Sequence, residues 1–102
     1  MGDSPITTIS LNQNFYPSLL RTIYDPPAIL YARGNLDLLQ RPALAVIGSR
    51  HHSSTAEQTI NSLIPDLVAT GLVIVSGLAL GTDALAHQAT LQQQGATIAV
   101  LG

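Results

Sequence analysis

Leu72-Val73-Ile74-Val75-Ser76-Gly77-Leu78-Ala79-Leu80-Gly81-Thr82-Asp83 passes from four apolar residues, through a stretch of small ones, into a helical pattern. A short apolar run of β-branched residues is the signature of a strand buried on both faces, and the switch of period after it marks a strand-to-helix joint. Small residues at such a joint have a use. Glycine lets backbone come close to a ligand or to another strand, and the first N–H groups of a helix have no intrahelical acceptor, so they can point at a phosphate. The segment from Ser76 to Thr82 is therefore a candidate anion site.

Working outward, the apolar run recurs on either side, as Ala43-Leu-Ala-Val-Ile47 and as Thr97-Ile-Ala-Val-Leu101. Between the first two runs, Ala56, Ile60, Leu63, Ile64, Leu67 and Val68 fall on one helical face. Ser54-x-x-Glu57 matches a capping box at its start and Gly71 supplies its stop. Pro65 lies inside this helix and deprives the Asn61 carbonyl of its donor, which predicts a kink or a break. The second helix is predicted from Thr82 or Asp83 to near Gln94, with Gly95 as its C-terminal cap. The order strand-helix-strand-helix-strand is one half of a doubly wound, Rossmann-like α/β fold with a parallel sheet and right-handed crossovers. Residues 43–102 are thus expected to be a domain truncated to about its first half.

Ahead of it, residues 1–13 read as a loose terminus with a short strand at Thr7 to Leu11. Residues 14–42 read as a helix and strand addition to the core. Tyr16 to Ile23 is a short helix with Pro17 near its first turn, where a missing N–H is harmless, and Asp25-Pro26-Pro27 ends it. Ala28 to Arg33 is strand-like, and Leu36 to Gln40 makes one or two helical turns at most. Phe15, Tyr16, Tyr24 and Tyr31 are expected to pack against the sheet rather than to stack on bases.

Composition narrows the function. Of 102 residues, 46% are hydrophobic, enough for a buried core, and 10% are charged, low enough to suggest that part of the surface is covered by further chain or by a partner. The chain has no cysteine, which removes disulfides and thiolate metal sites. With no signal-peptide pattern and no apolar run of about 18 to 20 residues, the expectation is a soluble, cytoplasmic protein without membrane contact. A net charge of −2 argues against a generally basic surface, and all four cations are arginines: Arg21, Arg33, Arg41 and Arg50. Any polyanion site must be local, built from backbone N–H groups and one well placed guanidinium.

Gly48-Ser49-Arg50 stands directly after the first apolar run, where a doubly wound fold places its ligand turn. Gly48 permits the turn, Ser49 offers a hydroxyl and an N–H, and Arg50 a fork that suits phosphate oxygens. Classical dinucleotide binding does not fit. There is no G-x-G-x-x-G, and Ser76-Gly77 closes the second strand in place of a ribose-binding carboxylate. Asp83 reads as a helix-start residue favoured by the dipole. His87 reads as buried and hydrogen-bonded rather than catalytic, because no carboxylate or nucleophile is visibly paired with it. His51-His52 reads as a solvated loop pair, since adjacent residues rarely converge on one ion. No metal, cofactor or catalytic residue is expected.

These motifs together resemble the DNA-processing protein A family, also called Smf. The resemblance runs through Tyr16-Pro17, Leu20, Asp25-Pro26-Pro27, Leu30-Tyr31 and Gly34, then Ala45-Val-Ile-Gly-Ser-Arg50, Gly71, Ser76-Gly-Leu-Ala-x-Gly-x-Asp-Ala-x-Ala-His87, Leu91, Gly95, Thr97 and Ala99-Val100-Leu101. It implies an extended Rossmann-like core that binds single-stranded DNA without hydrolysing it, forms a homodimer and helps load the recombinase RecA in natural transformation. Carried onto this chain, Gly48-Ser49-Arg50 becomes the phosphate-contacting loop, and Ser76, Gly77, Gly81 and Thr82 its neighbouring wall. The family often has a Tyr-Gly pair after Gly-Ser-Arg; here the stretch reads His51-His-Ser-Ser-Thr-Ala-Glu57, so helix entry differs.

Two other readings stand beside this one. Related folds use similar turns for a mononucleotide, as in nucleoside monophosphate phosphoribohydrolases, which need a further glycine-rich turn and a catalytic Glu after a later strand. Alternatively the glycines serve only close helix–sheet packing in an assembly piece.

Overall fold

Three short apolar strands, β3 (Ala43–Ala45), β4 (Val73–Ser76) and β5 (Thr97–Ala99), form a parallel sheet in the order β3-β4-β5. The computed structural model describes residues 5–48, 54–77 and 81–101. Each crossover is a helix: α2 (Ser54–Ala69) joins β3 to β4, and α3 (Thr82–Gln92) joins β4 to β5. This is the α/β arrangement that the alternating patterns require, since parallel neighbours need a crossover. The register pairs Leu44 with Ile74 and Val75 with Ile98. The two helices pack on each other, and their shared core is Ile60 and Ile64 from α2, Ala86 and Ala89 from α3, and Ile74 from β4. Val46, Leu67, Val68 and Leu85 close its margin.

Three features depart from the expected pattern. β3 ends at Ala45 rather than Ile47, and all three of its residues are exposed although an apolar parallel strand is expected to be buried on both faces. α2 is continuous from Ser54 to Ala69 with Pro65 inside it, so no break occurs. Asn61, whose carbonyl loses its donor, lies on the exposed side, where water can satisfy it. At the end of α3 the left-handed residue is Gln94, with φ 58°, rather than Gly95. The Gly95 N–H donates to the Thr90 carbonyl at 2.9 Å and the Gln94 N–H to the Leu91 carbonyl at 3.0 Å, the paired bonds of a Schellman motif. Gly95 serves a different need: a Cβ there would stand 2.7 Å from Val68 Cγ2 and 3.0 Å from Thr90 Cγ2. Gly71, with φ 86°, does take the left-handed position after α2.

Residues up to Arg41 form a separate compact unit. In it β1 (Thr7–Ser10) pairs antiparallel with β2 (Ile29–Ala32), so the stretch read as a loose terminus with a short strand is anchored, and Ile9 is buried. Between them lies the single turn α1 (Ser18–Arg21), shorter than the helix predicted over Tyr16 to Ile23, with Pro17 at its N-cap. A 3-10 turn follows at Leu36–Gln40. Tyr16 is fully buried and its hydroxyl donates to the Pro27 carbonyl at 2.7 Å. Arg21 stacks over the Tyr16 ring and donates to the carbonyls of Leu11 and Gln13. That guanidinium is therefore committed to holding the unit together. Tyr24 and Tyr31 are largely exposed, and the expectation that they pack down is not met.

Candidate functional site

In a parallel sheet all strand carboxyl ends lie at one edge, and ligands collect there. Gly48 follows β3, and Gly77 follows β4; Gly81 and Thr82 begin α3. The turn after β3 and the start of α3, about 30 residues apart in sequence, are brought into direct contact. A Cβ built on Gly48 would stand 2.6 Å from Thr82 Oγ1 and 2.8 Å from Thr82 Cβ, so no side chain fits between them. Glycine is thus required at 48 by the approach of α3. Thr82 itself is buried.

Ser76 has a structural commitment. Its side chain is buried, and its hydroxyl donates to the Val46 carbonyl at 2.5 Å. The Val46 N–H donates in turn to the Val75 carbonyl, and the Val100 N–H to the Ser76 carbonyl. These bonds extend strand pairing past the ends of β3 and β5. The Ser76 side chain therefore shapes the wall from behind, leaving backbone groups as its candidate ligand contacts.

α3 starts on Gly81, whose φ of 82° is in the region that glycine takes without penalty. Its carbonyl accepts the first helical bond, from the Leu85 N–H at 3.0 Å. Gly81 has no side chain to occupy the helix end. Asp83 lies in the first turn, where the dipole favours a carboxylate. One of its oxygens lies 2.7 Å from where a Gly77 Cβ would be, so the carboxylate rests against Gly77.

His87 is half-buried and hydrogen-bonded at both ring nitrogens. Nδ1 lies 2.6 Å from Thr97 Oγ1, and Nε2 lies 2.6 Å from the Gly77 carbonyl oxygen. The sequence predicts a buried, hydrogen-bonded histidine; both hydrogen bonds are present, their partners carry no sequence signal, and the residue is half-buried rather than buried. Thr97, at the first position of β5, carries no sequence signal beyond its hydroxyl in an otherwise apolar run. Ser49, Arg50, His51 and His52 lie outside the described residues. Among the described residues no cluster of His, Asp and Glu could hold a metal ion, and no helix is long and apolar enough to cross a membrane.

The model of the family described as DNA recombination-mediator protein A matches residues 7–102. The chain belongs to that family. DNA processing protein DprA of Streptococcus pneumoniae is 47% identical over 95 residues, which cover 93% of this chain and 33% of that protein. The chain spans about a third of the length of the curated relatives it matches. The X-ray structure of the S. pneumoniae protein superposes with a TM-score of 0.88 at 46% identity, covering 94% of this chain and 34% of that one. DNA processing protein A from Helicobacter pylori, whose structure concerns a single-stranded DNA binding mode, superposes with a TM-score of 0.80 at 33% identity over 97% of this chain and 43% of its own. The family resemblance read from the motifs and the Rossmann-like fold class are both borne out.

Proposed function

We propose that this chain supplies part of a single-stranded DNA-binding surface in a recombination protein, with backbone phosphates held at the carboxyl edge of the sheet. The observation that carries this reading is the contact of Gly48 with Thr82, which joins two turns of phosphate-binding type into one edge. The H. pylori relative, studied for its binding of single-stranded DNA, supports the choice of ligand. In this reading Gly48, Ser49 and Arg50 form the contacting loop, with Arg50 as its charged member. Ser76, Gly77, Gly81 and Thr82 form the adjoining wall, with Ser76 acting through its backbone. Binding involves no hydrolysis and no cofactor. The protein works in the cytoplasm as a homodimer and passes its strand to RecA. The mononucleotide-processing alternative is not favoured by the relatives matched.

A salt titration of oligonucleotide binding by the full-length protein tests the site. Affinity should fall as salt rises, and Arg50→Ala should weaken binding alike for every sequence and lower the salt slope by about 1. An Arg50→Ala protein with unaltered affinity and slope overturns the assignment.

A further inference from the structure

We infer that His87 is a positioning residue at the end of β4, holding the Gly77 carbonyl through a protonated Nε2; this rests on the reading above that this edge of the sheet meets DNA phosphates. One imidazole ties three elements together. It projects from α3, reaches Gly77 at the end of β4 through Nε2, and reaches Thr97 at the start of β5 through Nδ1. A carbonyl oxygen can only accept, so Nε2 must carry the hydrogen. The tautomer is thereby assigned by the partner.

The other nitrogen has two settings. The Thr97 hydroxyl lies 2.9 Å from the Ile74 carbonyl as well as 2.6 Å from Nδ1, and it has one hydrogen to give. With the ring charged, both nitrogens donate and Thr97 keeps its bond to Ile74. With the ring neutral, Thr97 turns its hydrogen to Nδ1 and releases Ile74. In either setting the Gly77 carbonyl accepts from Nε2. Asp83, one helical turn earlier on α3, rests its carboxylate against Gly77. β4 and β5 carry no titratable residue, and on α2 Glu57 and Asp66 are exposed.

Holding one carbonyl fixes the plane of its peptide unit, and Gly77 directly follows β4. Without the bond the Gly77 carbonyl samples other orientations, and apparent affinity falls in proportion to the binding-competent fraction. The requirement is a donor at the position of Nε2, which a glutamine amide can supply. An asparagine amide reaches only the position of Nδ1. The two substitutions therefore separate the Gly77 bond from the Thr97 bond.

The test measures binding of a fluorescein-labelled oligothymidylate to the full-length protein at low salt, together with thermal melting of each variant. His87→Gln should bind within about threefold of the wild type and His87→Asn about tenfold more weakly, the range of one hydrogen bond. Equal affinities for the two variants overturn the proposal. Nitrogen-resolved histidine spectra of the wild-type protein give a second readout that needs neither variant nor DNA. The neutral ring should carry its hydrogen on Nε2; a neutral ring protonated at Nδ1 overturns the proposal. A wild-type protein that binds no oligonucleotide overturns the DNA reading instead, and the spectra then decide the Gly77 bridge alone.

Discussion

β3 and β4 are neighbours in one parallel sheet, both apolar, yet they live in opposite environments. Leu44 and Ile74 are register partners and so share a face of the sheet; Ile74 is 0% exposed and Leu44 41%. The core formed by α2 and α3 includes Ile74, whereas β3 contributes none of its three residues to it. An apolar strand sequence thus records suitability for burial, while burial itself depends on what the helices reach. β4 is central and flanked by two strands; β3 has one partner among the described residues.

Substitution at the two register partners is the largest test of this difference. Ile74→Ala should destabilise this chain by about 2–5 kcal/mol, and Leu44→Ala by less than about 0.5 kcal/mol, measured by denaturant unfolding. Similar losses at both positions would mean that β3 is covered in solution. Next in size is Gly48→Ala, placed where β3's turn meets α3. Even the Cβ of Thr82 is too close to a new methyl, so trimming Thr82 does not relieve the clash. A loss of about 1–3 kcal/mol and weaker DNA binding are expected together. Gly77→Ala, beyond β4, should be milder, because the atom in its way is the end of the Asp83 carboxylate, which can rotate.

Ser76→Ala probes the bond that levels the ends of β3 and β4, and its removal should lower stability by about 0.5–1.5 kcal/mol. A neutral result in chemical denaturation would show that the strand ends need no such pin. The smallest effect is a gain. Gln94→Gly removes a left-handed strain of about 1–2 kcal/mol but adds unfolded-chain entropy, for a net stabilisation of about 0.5–1 kcal/mol by thermal melting. Since Gln94 follows α3 and is not part of the core cluster around Ile74, the contrast between Ile74→Ala and Leu44→Ala should be unchanged in that background.

What was legible in the sequence was local. The βαβαβ order, the glycine stops and the two turns follow from the spacing of apolar residues and from backbone freedom at Gly71, Gly77 and Gly81, all expressed within a few residues. The motifs together also pointed to the family. Of the kink or break expected at Pro65, the break does not occur, because the Asn61 side of the helix is exposed and water can satisfy the lost bond, which propensity does not record. Gly95 misled because close packing on Val68, a contact across 27 residues, also demands glycine. Gly48 against Thr82, Ser76 on Val46, and His87 between Gly77 and Thr97 could be decided only by the tertiary structure. Such contacts depend on the rotation of each helix about its axis and on strand register, which are set by packing of the whole core and leave no periodic trace in the chain.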